Sequence, residues 1–205
     1  MRVPFFEGVN YREIKDKREN RKERIKKDID QYGEEVLKSD EMQEAFGQTH
    51  HVWSTVGEHT LRVAMSSVMV CYALNKMRIK VNVPAVVVGS LCHDLGILGR
   101  YDKFSSEKEC KREHPSESVK VAREIVGDMP DGSEEIIERH MWPMGPTKAP
   151  STLEGLVVSV TDKYNAVKDF VKGSEIHNTN LKSQARDKKN EIKENIQEKL
   201  GRSEE

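Results

Sequence analysis

The adjacent pair His93 and Asp94, in LCHDLG, is the part of this sequence best equipped for chemistry. Neighbouring residues on a helix project about 100° apart, so the two can share a target only where a helix ends. Gly96 supplies such an ending. An imidazole and a carboxylate together suit iron, manganese, zinc or magnesium better than copper, and without a thiolate pair they indicate a catalytic rather than a structural centre. Asp162 is a second clue, because it lies in the apolar run LVVSVTDKYNAV, where an ionised carboxylate is costly to bury unless a cation neutralises it. His59 shares a helical face with Val63 and Ser66, and His140 follows Ile136 by four, so both imidazoles are expected to face inward. Taken singly, each histidine reads better as a hydrogen-bonded core residue than as a ligand. Their coincidence with Asp94 is what favours a metal.

The elements that must position these groups are helices. Residues 12–28 carry nine basic and five acidic side chains. Sparse apolar positions at Ile25, Ile29, Tyr32, Val36 and Leu37 predict a long, mostly solvated helix with one thin stripe on the core. Thr55 to Glu58 fits a capping box, followed by Leu61, Ala64, Met65, Val68, Met69 and Tyr72 at helical spacing, with His59 in the first turn. Asn82 and Pro84 open a helix that is apolar on every side through Cys92 and is therefore central. Residues 97–113 read as a charged, irregular connection. After it, Pro115 in the first turn and Gly127 past the end bracket another helix with His114 at its threshold. Asp131 or Ser133 caps a short helix ending at His140, before Pro143 and Pro146 force an extended loop. A last core helix runs from about Thr152 to Lys172. Beyond Gly173, only Ile192, Ile196 and Leu200 remain at helical spacing, enough for a terminal helix or a frayed tail. Strand signals are nearly absent, so the expected fold is all-α, with a charged extension over 1–48, a core over 49–173 and a polar helix or tail over 174–205.

Composition narrows the partners. The chain has 205 residues, 34 Lys plus Arg and 35 Asp plus Glu, for a net charge of -1, which gives no global pull toward nucleic acid or an anionic membrane. A basic nucleic-acid arm at 12–28 is disfavoured by its interleaved acids. Cys71, Cys92 and Cys110 form no CxxC pair, which disfavours a disulfide scaffold and a thiolate zinc site. The opening MRVPFFEGVN is too short for a signal peptide and no run approaches a membrane span, so a cytoplasmic protein is expected. Whether the first helix docks on a partner or on a second copy, as in a homodimer, is left open by so thin a stripe.

The order His59 in GEHTLRVA, His93-Asp94 in LCHDLG and Asp162 in VTDKYNA resembles the HD-domain superfamily of metal-dependent phosphohydrolases over roughly residues 50–172. The resemblance implies that these four positions bind a metal. His114, in EHPSES, and His140, in ERHMWPMGP, match the two further histidines of subgroups that hold a second metal with Asp94 bridging. Two divalent cations are thus implied, iron or manganese first, with zinc, magnesium, nickel or cobalt also compatible. His93 and Asp94 would be the catalytic centre, two cations activating water and neutralising phosphoryl charge without a protein nucleophile. The implied substrate is a phosphorylated small molecule of nucleotide type, including dinucleoside polyphosphates or a nucleotide second messenger.

The sequence departs from the pattern in one respect. Several dinuclear members continue the pair as HDIGK, with the lysine near the substrate phosphate, whereas HDLGIL places Ile97 there. Phosphate contacts must come from elsewhere, with Arg100, Lys103 and Lys163 as candidates. His50, His51 and Trp53 precede the first ligand helix and either stack on a base, line the pocket or form an ordinary loop anchored by one aromatic. Two rival readings stand beside the hydrolase. One is a di-iron oxygenase built on the same ligands, and the other a non-catalytic nucleotide-binding module. Retention of all six ligand positions counts against the module.

Overall fold

A helix that is apolar on every side needs neighbours on every side, and α5, Val83–Cys92, has them. The computed structural model describes residues 11–51, 54–171 and 174. Helices α1 (Tyr11–Tyr32), α4 (Val56–Lys76), α7 (Glu107–Val126) and α8 (Ser133–Arg139) pack around α5. A further helix, α9, spans 153–171 and meets α4 through the hydroxyls of Ser67 and Thr161, 2.6 Å apart, and through Asn165 Nδ2 donating to Ser66 Oγ at 3.1 Å. Three short helices, α2 (Glu34–Lys38), α3 (Asp40–Gly47) and α6 (Arg100–Lys103), complete the helical set among the described residues. The fold class is all-α, as expected.

Ala85 to Cys92 are all buried. Val87, Val88 and Leu91 join Ile29, Ala64, Val68 and Ile137 in one apolar cluster, while Val86 joins Val63, Ile136 and Val158 in a second. Each such side chain is worth about 1.5–3 kcal/mol when fully buried, so α5 is the element that stabilises the bundle and fixes where its C-terminal end lies. No helix among the described residues is long and apolar enough to cross a membrane.

Several local expectations need correction. The stripe Ile25, Ile29, Tyr32, Val36, Leu37 is not carried by one helix, because the chain breaks at Gly33 before α2. A Cβ there would lie 2.8 Å from Ile29 O and 2.3 Å from Leu91 Cδ1, so a side chain at this corner would force the chain or Leu91 to shift. The segment 97–113 is largely helical: a 3₁₀ turn at Leu95–Ile97 leads to α6, and α7 already begins at Glu107. Ser106 caps α7 by accepting from Glu109 N at 3.2 Å, and Glu109 reaches back to Ser105 N at 2.7 Å. Pro115 and His114 therefore sit inside α7, not at its start. Neither Asp131 nor Ser133 caps α8, whose N-cap is Gly132 without a side-chain bond. The Thr55–Glu58 capping box and the Asn82 cap are present as read. The expectations for Gly173 and the chain beyond Ser174 lie outside the described residues.

A small hairpin interrupts the helical expectation before α4. Strand β1 (Thr49–His51) pairs antiparallel with β2 (Ser54–Thr55), irregularly between Thr49 and His51. Such short polar strands carry no alternation to read. The Gln48 side chain pins the hairpin's base to the turn after α5: Nε2 donates to Ile97 O at 2.9 Å, and Oε1 accepts from Gly99 N at 2.8 Å.

Candidate metal centre

The six residues expected to converge do so. His59 projects from the first turn of α4, oriented by the capping box. His93 is the C-cap of α5 with φ -55°, ψ -34°, while Asp94 has left helical geometry at φ -110°, ψ 4°. That change of direction brings His93 Nε2 to 3.2 Å from Asp94 Oδ2, which neighbours within a helix could not achieve. His114 comes from inside α7, His140 is the C-cap of α8, and Asp162 lies on α9. All six are buried. Gly96, expected to stop α5, instead allows a close approach. A Cβ there would meet His114 O and Ser118 N at 2.4 Å each, so its absence lets α7 deliver His114 to the pair.

The imidazoles are fixed by their own backbones. Nδ1 donates to Ser90 O from His93 at 2.7 Å, to Cys110 O from His114 at 2.8 Å, and to Ile137 O from His140 at 2.6 Å. A carbonyl can only accept, so the proton of each neutral ring sits on Nδ1 and the Nε2 lone pair points into the cluster. His59 is oriented differently: its Nδ1 is 3.4 Å from Asp169 Oδ2, which also accepts from Arg62 Nη2 at 2.6 Å. This carboxylate–histidine contact is the arrangement that sets a metal-binding ring.

Two groups of donors result. His59, His93 and Asp162 can present one ligand atom each within 4.8 Å of one another, and so can Asp94, His114 and His140. Asp94 divides itself between them, with Oδ2 3.2 Å from His93 Nε2 and Oδ1 3.4 Å from both His114 and His140. Two observations show that the residues fit cations. His93 Nε2 is buried 3.2 Å from Asp94 Oδ2 without meeting hydrogen-bond geometry there. His114 Nε2 and His140 Nε2 face each other at 3.0 Å with lone pairs opposed, which a positive charge between them would turn from repulsive to attractive.

The electrostatics agree. Burial disfavours the charge on Asp94, yet His93, His50, His114 and His140 hold its carboxyl well below the usual range. Burial likewise opposes ionisation of Asp162, and His59, His93 and Lys163 overcome it. For His93, burial is outweighed by Asp94 and Asp162, carrying the imidazole up to about 9. Burial and the neighbouring His93 and His114 push His140 down to about 4, despite Asp94. Two ionised carboxylates beside the uncharged His140, with a His93 proton that a bound cation would displace, form a cation-binding field.

The basic candidates separate. Lys163 is at the centre, donating to Asp162 Oδ2 at 2.6 Å and to His140 O at 2.8 Å, which leaves Asp162 Oδ1 for His59 Nε2 at 2.9 Å. Arg100 Nη2 donates to Thr49 O at 3.3 Å and to Tyr101 Oη at 3.0 Å, and Lys103 donates to Gly96 O at 3.4 Å, with Glu117 as its ion partner. Neither reaches the cluster through a contact among the described residues. Ile97 is buried. Sequence reasoning missed Asp169, although Asp162, Asn165 and Asp169 at i, i+3 and i+7 mark a polar face of α9. It also placed His50 no nearer than the pocket wall, whereas His50 Nε2 is 3.3 Å from Asp94 Oδ2.

Fold and site together define an all-helical protein with histidine–aspartate groups able to hold metal. Residues 56–167 match the HD domain family, and the chain belongs to that family, whose members are in general metal-dependent hydrolases. No curated protein and no solved structure matches the chain.

Proposed function

We propose that this protein is a phosphohydrolase of the dinuclear HD type, hydrolysing a phosphoester or phosphoanhydride of a nucleotide. The observation that carries the reading is the division of Asp94: one buried carboxylate offers each oxygen to a different donor group. A pair of divalent cations, iron or manganese by preference, would supply the Lewis acidity and charge neutralisation that attack of water on a phosphoryl group needs. His59, His93, Asp162 and Asp94 would hold the first, and Asp94, His114 and His140 the second.

The chain's own residues supply preorganisation. Three backbone carbonyls fix the rings, so no rotamer search precedes binding. Lys163 holds one oxygen of Asp162 and leaves the other turned toward His59 Nε2, 2.9 Å away, within the first donor group. The same ammonium lies against Asp162 and the His140 carbonyl, so it would stand beside a phosphate held at the centre, which supports Lys163 over Arg100 and Lys103 for that contact. A nucleotide as substrate rests on the likeness to small stand-alone HD proteins.

The test is metal content together with turnover. The purified protein, assayed on a nucleotide and dinucleotide panel with manganese, iron or zinc, should bind two cations per chain and release phosphate or a nucleotide product. His93→Ala and Asp94→Ala should abolish hydrolysis while keeping most helicity. Two bound cations with oxygen consumption and no hydrolysis would instead favour the di-iron oxygenase, and an absence of bound metal would leave a binding module.

A further inference from the structure

The outer oxygen of Asp94 has more company than the ligand set above accounts for. Its Oδ2 lies 3.2 Å from His93 Nε2 and 3.3 Å from the Nε2 of His50, a residue carried by strand β1. The His50 ring is centred 4.7 Å from that of His59 and inclined to it by 40°. His50, His59 and Asp94 can each present one donor atom within 4.8 Å of the others, so the His50 nitrogen borders the space that His59 and Asp94 share with His93 and Asp162. The hairpin is held in that place. Gln48 ties its base to both sides of the turn that follows the His93-Asp94 pair, Val56 N donates to Gln48 O at 2.9 Å, and Arg100 bonds Thr49 O.

We infer that His50 is a further nitrogen donor to the cation held by His59, His93 and Asp162, delivered by the hairpin on the open side of the centre. The inference rests on the two-cation reading and adds a residue to it. Three imidazoles and two carboxylates around one position are a donor set that divalent iron, manganese or cobalt accepts in five or six coordination. A hydrogen bond from a neutral His50 to Asp94 is the rival account, and it would leave the cation's own ligand set unchanged. His50 has the most exposed side chain of the three in its donor group, at 13%, against 0% for His59 and 6% for Asp94. Of the three, it is thus the donor that solvent reaches most.

Cobalt(II) distinguishes these accounts, because its visible absorption reports the number and kind of ligands without any turnover. The full chain, His50→Ala and His50→Gln are titrated with cobalt(II) alone, following the spectrum, the affinity of each site and helicity by circular dichroism. We expect two sites in the parent. In His50→Ala, one site should bind about tenfold or more weakly with an altered spectrum while the other keeps its affinity, and the glutamine variant should recover part of the loss through its amide oxygen. Parent-like affinities and spectra in both variants would overturn the inference while leaving the two-cation reading intact, as would equal weakening of both sites with loss of helicity. A parent chain that binds no cobalt would overturn the two-cation reading and this inference with it.

Discussion

The C-terminal end of α5 and the place where α1 lies across α4 are both held by few residues, but they are built on opposite principles. At the first, charged and polar groups are buried and each ring is oriented before any ligand arrives. At the second, Ile25 and Ile29 reach the core, the Tyr72 hydroxyl donates to Asp28, and the charged side chains between them stay in water. The candidate centre burdens the fold with desolvated carboxylates, which the apolar α5 offsets and a bound cation would neutralise. The α1 contact buries no such charges and contributes through the apolar burial of Ile25 and Ile29. The contrast teaches that α5 serves two purposes: its apolar body supplies stability, and its end presents a site that lowers it.

The largest expected effect comes from breaking the shared carboxylate. Asp94→Asn keeps the shape of the side chain but removes the charge that both donor groups need, so it should lower the affinity of both cation sites and reduce hydrolysis below detection. Elemental analysis with a single-turnover assay checks this. A variant that still binds two cations tightly would remove Asp94 as the bridge. Next comes the cation itself, since a ligand that binds only the folded chain at a hundredfold excess over its Kd stabilises by about 2.7 kcal/mol. In a chain of this size that is roughly 5–10 °C in melting temperature. Manganese or iron should produce such a shift in the parent, a chelator should reverse it, and Asp94→Asn should lose it. An equal shift in Asp94→Asn would mean the stabilising cation binds elsewhere.

A smaller effect should be confined to one half of the centre. Asp169 touches no member of the Asp94, His114, His140 group and acts through the Nδ1 of His59, with Arg62 holding the carboxylate ionised below its usual range against the effect of burial. Asp169→Asn should therefore weaken one cation by about 10–100-fold and spare the other. Competition against a chelating indicator resolves the two affinities, and equal losses at both would show that Asp169 supports the bundle rather than His59.

What the sequence made readable was what it encodes locally. The Thr55–Glu58 box fixes the turn that carries His59, Asn82 fixes the start of α5, and an all-round apolar run can only be central. The convergence of six residues over more than a hundred positions was legible through the ordered motif that resembles the HD family, His114 through that resemblance alone. Where tertiary contacts decided, the reading failed. The Ser106–Glu109 cap of α7 was hidden by a proline that reads as a helix start, and Gly96 answers to α7 packing rather than to helix termination. Asp162 was found through the apolar character of its surroundings, yet Val160, Tyr164 and Val167 in that stretch are exposed. Its burial comes from sharing the inward face with Val158, Thr161 and Asn165. His50 and Asp169 depend on a hairpin and on a helix register, respectively, that no short window reveals.

The α1 contact offers the smallest and most specific test. Tyr72 donates to Asp28 and, at 3.3 Å, to Arg24 O, with the Arg24 guanidinium 5.0 Å from the ring centre. Burial first, then the Asp28 carboxylate, pushes the phenol up to about 12. Tyr72→Phe should destabilise by about 0.5–1.5 kcal/mol, toward the low end because water reaches the phenol. A group whose folded pKa is raised holds its proton in the folded chain where the unfolded chain has lost it. The parent's advantage is therefore complete below the unfolded value near 10 and is lost as pH climbs toward 12. Denaturant midpoints of parent and variant should differ at pH 8 and draw together above pH 10, with cation affinity unchanged throughout. A variant that also loses cation binding would show that α1 and the centre are coupled through α4, and the separation between the two regions would fail.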